Sequence, residues 1–363
     1  MMKVLYDSDV FSNQTFGGIS RYFVELMNNL PQEWTPELSL WASENEYLSL
    51  LNHPKRYILL RHFPEHRKLY RAINGISDRR LLKKGDYDIF HTTGFNPYFI
   101  DRVRTPYVAT VHDMIYLDNY RAGTLKKEIV DGIEKVIFNA DRIIAISEST
   151  RRGLLEAYPQ INPDRVDVVH HGFAPPCVDL SAPTWLPRNY LLFVGQRGDY
   201  KNFDNFFKAY TILARRDETL RLLCTGRPFN RGERDMIARS GLESRIDCRF
   251  VPTDQLDAVY AGARAFIFPS RKEGFGMPIL ESFAAGCPVI LSDASCLPEV
   301  AGNAGVYFNP DSPEDIAEKI GKVIYDNNFR DTKIAEGRER LKSFSWEKCG
   351  RETAAVYNKT LGI

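Results

Sequence analysis

Eleven short apolar runs punctuate this chain, and most lead through a turn into a stretch with helical spacing. In the first half they are KVLYD (3–7), YDIFHTT (87–93), PYVATVHD (106–113), RIIAIS (142–147) and VDVVHHG (166–172). In the second half they are YLLFVG (190–195), LRLLCTG (220–226), IDCRFV (246–251), RAFIFPS (264–270), PVILSD (288–293) and GVYFNP (305–310). The runs are apolar throughout rather than alternating, as strands of a parallel sheet covered on both faces must be. Helical stretches such as GISRYFVELMNNL, ESTRRGLLEAY, NFDNFFKAYTILARR and DQLDAVYAGA separate them. Strand and helix in alternation mean βαβ units, and so predict an α/β fold of doubly wound parallel sheets.

The alternation pauses once. Pro175, Pro176, Pro183 and Pro187 fall within residues 172–189, a density that neither a helix nor a central strand tolerates. This predicts two Rossmann-like domains, 1–172 and 190–343, joined by a linker at 173–189 and facing a cleft at the carboxyl ends of their strands. A length of 363 residues fits two domains. Lys and Arg number 48 against 47 Asp and Glu, so no global field draws the chain to nucleic acid. No apolar run approaches the ~18 residues of a spanning helix, and acids interrupt MMKVLYDSDVFS before a signal core forms, which predicts a cytoplasmic protein. The six cysteines, Cys177, Cys224, Cys248, Cys287, Cys296 and Cys349, include no CxxC pair and read as reduced thiols.

The segment SRKEGFGMPILESFAAGCPVILSD (270–293) carries the most chemistry. It runs from a strand end into a helix. Gly274 and Gly276 let a ligand approach the backbone, Pro278 suits a first helical turn, and the amides at the helix start favour an anion. Glu273 lies in the loop and Glu281 about one turn into the helix.

E-G-F-G-M-P-I-L-E followed by A-x-G-x-P-V-I resembles the signature of the retaining GT-B glycosyltransferases of family 4. VHD (111–113), the VGQRGDYKN segment, LPEVAGNAGVYFNP (297–310) and the GGISRY loop (17–22) fall where that family places them, so the resemblance covers nearly the whole chain. It implies a nucleotide-sugar donor and no cofactor or metal. Glu273 is then the acid that meets the donor sugar, and Glu281 the one that accepts from the ribose hydroxyls. The amides of Phe275, Gly276, Met277 and Ile279 are candidate contacts to sugar and phosphate. Gly195 and Val251 complete the donor side, with Val251 opening the loop that meets the base. Arg197 and Lys201 are cations that can neutralise a diphosphate leaving group. The family commonly has Arg directly after the Gly, where this chain has Gln196. Gly17 and Gly18 approach the donor phosphates, and their loop lacks the GxGxxG of a nicotinamide site. His112 is implied beside the donor sugar.

Two DxD strings, Asp7-Ser8-Asp9 and Asp86-Tyr87-Asp88, are the other places where a metal diphosphate could bind, although the resemblance implies none. Residues 53–84 hold ten cations against two acids, Glu65 and Asp78, with Tyr57, Phe63 and Tyr70 interleaved. That balance suits an anionic membrane face or a lipid-diphosphate acceptor, and equally a solvated helix. Residues 344–363 read as an amphipathic helix, and the resemblance implies that it packs back on the first domain. The expected activity is mannose transfer from GDP-mannose, with retention, to a glycan or lipid-linked acceptor in surface polysaccharide synthesis. UDP-glucose or UDP-GlcNAc is the alternative donor. The rival classes are a nucleotide-sugar epimerase, which needs no acceptor, and an inactive nucleotide-sugar-binding protein.

Overall fold

The computed structural model describes residues 1–52, 57–59, 67–175 and 183–363. They divide into two compact units, Met1–Gly172 with Phe344–Ile363, and Phe173–Ser343. The Pro-rich segment straddles the boundary, and its Cys177 lies outside the described residues.

The first unit holds β1 (Met2–Tyr6), α1 (Asp9–Asn13), α2 (Gly18–Asn28), β2 (Trp34–Leu38), β3 (Ala42–Ser43), β4 (Ile58–Leu59) and α3 (Arg67–Lys84). After these come β5 (Ile89–Thr92), β6 (Tyr107–Val111), α4 (Ile115–Arg121), α5 (Lys127–Asn139), β7 (Arg142–Ala145), α6 (Glu148–Ala157) and β8 (Val166–Val168). Its main sheet runs β2-β1-β5-β6-β7-β8, parallel throughout, with β3 and β4 paired apart from it. The apolar runs account for five of the six main strands. The sixth, β2, reads WTPEL and has no apolar run to announce it. Pro36 is tolerated there because β2 is an edge strand.

The second unit holds β9 (Tyr190–Phe193), α7 (Phe203–Ala214), β10 (Arg221–Thr225), α8 (Arg231–Ser240), β11 (Ile246–Arg249), α9 (Thr253–Gly262) and β12 (Ala265–Phe268). It continues through α10 (Met277–Ala284), β13 (Val289–Ser292), α11 (Leu297–Ala301), β14 (Val306–Phe308), α12 (Pro313–Tyr325) and α13 (Asn327–Leu341). The order β11-β10-β9-β12-β13-β14 is that of a Rossmann sheet, and every strand comes from a predicted run. The strands stop one or two residues short of the runs at their carboxyl ends, and after β9 and β12 the backbone turns out into the loops that carry Lys201 and Glu273. Phe193, Phe203, Phe206, Leu222 and Ile267 are among the side chains that fill one face of the sheet.

The last helix, α14 (Trp346–Leu361), belongs to the first unit. Trp346, Ala354, Val356 and Tyr357 join the core formed by Tyr6, Phe23 and Val24, as their apolar spacing requires. A chain of hydrogen bonds runs beneath it. Tyr6 Oη and Tyr357 Oη lie 2.7 Å apart, Tyr357 Oη is 2.6 Å from His91 Nδ1, and His91 Nε2 is 2.8 Å from Thr110 Oγ1. Gly350 lets the helix meet the end of α2: a Cβ there would stand 2.0 Å from the Asn29 carbonyl oxygen. That obstacle is backbone and cannot rotate away. Gly350→Ala should therefore destabilise the first unit by ~1–3 kcal/mol, the usual cost of overpacking. A thermal melt read at the first unit's tryptophans checks this, since Gly→Ala in an unhindered helix would instead stabilise.

Candidate active site

The strand order of the second unit reverses at β9 and β12, so the loops leaving those two strands diverge and leave a crevice beside their carboxyl ends. Lys201 comes from the first loop and Glu273 from the second. A single 3-10 turn, Asp199–Lys201, closes with the Lys201 amide donating to the Gly198 carbonyl at 2.8 Å. Asn202 then takes the left-handed conformation, φ 55°, and its side-chain amide donates to the Pro310 carbonyl at 2.7 Å. The second loop is tied to the first by the Arg271 amide, which donates to the Tyr200 carbonyl at 2.7 Å.

These constraints bring Lys201 Nζ to 2.6 Å from Glu273 Oε1, with the side chains 19% and 13% exposed. The ammonium also lies 5.2 Å and 5.7 Å from the ring centroids of Tyr200 and Phe268. Ser295 fixes the acid's backbone from the other side: its hydroxyl donates to the Glu273 carbonyl at 2.8 Å and accepts from the Glu273 amide at 3.2 Å.

Beyond Glu273, Gly276 caps α10 at φ 94°, and a Cβ there would press on Ile279 and Leu297 at 3.2 Å. The Ile279 amide donates to the Gly276 carbonyl at 2.9 Å, closing the first turn. Ile279 is thereby removed from the expected anion contacts, while Phe275, Gly276 and Met277 remain at the helix start. Glu281 Oε2 accepts from the Tyr260 hydroxyl at 3.2 Å. Burial and the Glu281 charge hold that phenol far above its ordinary pKa, so it stays a donor.

Arg197 departs from expectation. Its side chain is only 4% exposed, and Nε donates to Glu233 Oε1 at 3.0 Å. The guanidinium lies 4.7 Å from the Phe229 centroid and also bonds the Arg227 carbonyl. Glu233 is itself held in the capping box that opens α8. A desolvated pair of this kind costs ~3–5 kcal/mol to break from one side, so the Arg197 guanidinium is held by Glu233 here rather than standing as a free cation. Gly195 follows β9 at φ 103°, its amide donating to Thr225 Oγ1 at 3.3 Å, and Val251 lies half-buried in the loop after β11.

In the first unit, Gly17 is extended (φ 165°) and caps α2. A Cβ at Gly17 would strike Gln14 Oε1 at 2.6 Å, whereas one at Gly18 would meet nothing within 4 Å, so the open backbone is at Gly18. His112 leaves the end of β6 edge-on to Tyr22, centroids 5.1 Å apart, and Tyr22 stacks on His171 at 4.7 Å. Asp113 turns back to accept from the Ile115 amide at 2.9 Å. Burial lowers the His112 pKa to about 3 from 6.5.

Both DxD strings are spent on the fold. Asp7 accepts from the Thr93 amide at 2.8 Å and hydroxyl at 2.6 Å, and Asp9 from Asn13 at 2.9 Å. Asp86 pairs with Lys3 at 2.9 Å, and Asp88 accepts from the Lys3 amide at 2.6 Å. Among the described residues, no group of three or more His, Cys, Asp or Glu side chains could hold a metal. Sequence reasoning missed Ser295, Tyr260, Glu233 and Tyr22, which brace Glu273, Glu281, Arg197 and His112 respectively. Tyr22 closes the GGISRY loop and Ser295 lies between the 270–293 and 297–310 segments, so both stood close enough to a motif to have been found.

The chain matches the family model "Glycosyltransferase Family 4" over residues 16–175 and "Glycosyl transferases group 1" over 184–340. This chain is a GT-B glycosyltransferase of family 4. The transferase is 27% identical to the O-antigen chain mannosyltransferase B of Escherichia coli, over 98% of this chain and 99% of that one. It is 28% identical to a D-inositol 3-phosphate glycosyltransferase of Salinispora tropica over 76% of this chain and 65% of that one. Its fold is similar to that of sucrose-phosphate synthase from Thermosynechococcus elongatus, with a TM-score of 0.74, 18% identity and full coverage of both chains. Anabaena Alr3699/HepE, solved with UDP and glucose, has a TM-score of 0.72 and 17% identity, covering 99% of the transferase and 100% of that chain.

With its pKa near 3, the His112 ring of the free transferase stays neutral across the physiological range. A side-chain NMR titration should show no His112 transition between pH 5 and pH 8. A midpoint near the ordinary 6.5 would contradict the burial argument.

Proposed function

We propose that the transferase moves mannose from GDP-mannose to a glycan or lipid-linked acceptor of surface polysaccharide synthesis, keeping the anomeric configuration. The observation that carries this reading is the Lys201–Glu273 contact of 2.6 Å at the β9/β12 switch point, beside the start of α10. Without donor, the ammonium is satisfied by the carboxylate. A donor diphosphate competes for the same ammonium, and the displaced Glu273 becomes an acceptor for sugar hydroxyls. Lys201 and the α10 amides then face the oxygens on which charge grows as the glycosidic bond breaks. The departing phosphate takes the acceptor's proton on the face where the new bond forms, and the neutral His112 lines the sugar without competing for that proton. Glu281, held by Tyr260, accepts from the ribose hydroxyls. Gly18 offers open backbone to the phosphates, and Val251 to the base. Arg197 positions the Gly195–Lys201 loop.

Mannose is favoured by the Escherichia coli relative, an O-antigen chain mannosyltransferase that aligns over nearly its whole length. A UDP-sugar donor is the second reading, favoured by the Anabaena fold neighbour solved with UDP-glucose. Release of nucleoside diphosphate from a panel of GDP and UDP sugars separates the two, and proton NMR of the product gives the anomer. Release from UDP-glucose alone would overturn the mannose reading.

Lys201→Ala should lower turnover by ~10²–10³, the scale of losing one transition-state electrostatic partner, with the melting temperature little changed. Wild-type turnover in that variant would take Lys201 out of the mechanism. Glu281→Gln should weaken donor and free nucleoside diphosphate alike, since hydrogen bonds to a charged group contribute ~1.5–3 kcal/mol each. Calorimetric titration with both ligands checks this, and equal affinities would refute the ribose assignment.

A further inference from the structure

Ser295 stands in a backbone conformation that its own side chain disfavours. Between β13 and α11 the Leu297 amide donates to the Ala294 carbonyl at 3.2 Å and closes a tight turn. The two central residues of that turn are Ser295 at φ 57° and Cys296 at φ −85°. A first central residue with positive φ is a place that glycine ordinarily takes, because a Cβ there crowds the following carbonyl. The turn is anchored at its start by the Asp293 amide, which donates to the Phe308 carbonyl of β14 at 2.9 Å.

The hydroxyl gives this strained position a use that glycine could not supply. It donates to the Glu273 carbonyl at 2.8 Å and accepts from the Glu273 amide at 3.2 Å, so one side chain holds both backbone groups of one residue. The Cys296 thiol brings a second donor to the same carbonyl at 3.3 Å. The turn also reaches the far end of the 273–276 segment, where a Cβ on Gly276 would meet Leu297 at 3.2 Å. Glu273 is therefore gripped twice, by its backbone from the 294–297 turn and by its carboxylate from Lys201.

We propose that Ser295 is a positioning residue for sugar transfer. Its hydroxyl sets the backbone of Glu273, and through it the carboxylate that meets the donor sugar. Backbone strain kept beside a reacting group is a recurrent means of fixing that group's geometry. Displacing such a group by ~1 Å lowers the rate by as much as ~10²-fold. This role for Ser295 rests on the role proposed above for Glu273.

Two variants of the full chain separate the strain from the hydrogen bonds. Ser295→Ala removes the hydroxyl and keeps a Cβ at positive φ, whereas Ser295→Gly removes both. Ser295→Ala should melt ~2–8 °C below Ser295→Gly, since only alanine retains the strain. Turnover should nonetheless fall alike in both, by ~10–10²-fold, read as nucleoside diphosphate released from GDP-mannose, or from UDP-glucose if that is the donor. Calorimetric affinity for free GDP or UDP, which carries no sugar for Glu273 to meet, should be unchanged. In a Glu273→Ala background, adding Ser295→Ala should lower turnover little further, because residues that act as one unit are not additive. If Ser295→Ala does not fold, Ser295→Gly decides. Wild-type turnover in a folded Ser295 variant, loss of GDP and UDP affinity along with turnover, or full additivity with Glu273→Ala would each overturn the role of Ser295 alone, provided Glu273→Ala is itself impaired. Wild-type turnover in Glu273→Ala would instead overturn the role proposed for Glu273, and that of Ser295 with it.

Discussion

The first unit depends on how the chain's end is buried in it. Tyr357 carries a hydroxyl into a site with no solvent, a position that is costly unless the oxygen is fully bonded. Tyr6 and His91 meet it, and Thr110 completes the chain on the far side of the imidazole. Each such bond adds a net ~0.5–1.5 kcal/mol, but leaving one buried partner unmet costs ~1–3 kcal/mol. The network therefore favours one seating of α14 over any slipped register. It joins the last helix to β1, β5 and β6, three adjacent inner strands of the sheet.

The same burial sets how this unit responds to acid. His91 is held near a pKa of about 3, against 6.5 when unfolded, by desolvation and then by His112. Its neutral form contributes stability in full above 6.5, and that contribution fades as pH falls toward 3. Asp9 and Asp78 oppose it. Desolvation, followed by the Asp7 charge, raises both to about 7 from 3.8, so their contribution is whole below 3.8 and fades as pH rises through 7. The two sets act in opposite directions over largely the same interval, which flattens the net pH dependence. His91 lies on β5 and the acids on α1 and α3 of the same unit, so a change that relieves either set tilts the balance toward the other.

In the second unit the proposed chemistry rests on the Lys201–Glu273 charge pair. Lys201 and Glu273 neutralise one another at modest exposure, which spares the free protein the cost of two separate desolvated charges. Around them, the Ser295 hydroxyl, the Asn202 side-chain amide and the Arg271 backbone amide hold the loops through neutral groups, so the ion pair can open while its loops stay in place. Arg197 shows the contrasting case. Wrapped by Glu233 and Phe229, its guanidinium is already paired and desolvated.

What the sequence determined by itself was the architecture and the chemical inventory. Apolar runs in alternation with amphipathic helices specify parallel sheets because burial on both faces leaves no other place for them. The spacing of Gly276, Pro278 and Glu281 specifies a helix start, since local backbone geometry is read from neighbours in the chain. β2 escaped because an edge strand with Pro36 needs no apolar run, and α13 because its polar sequence has little amphipathic period. What only tertiary structure decided was which candidates share a neighbourhood. Lys201 and Glu273 are 72 positions apart and meet through the switch in strand order. Arg197, four residues before Lys201, is drawn instead to an acid 36 positions away. Charge and hydrogen-bonding capacity belong to residue types, but which partner is met depends on distances of a few ångströms, and those are set by packing rather than by proximity along the chain.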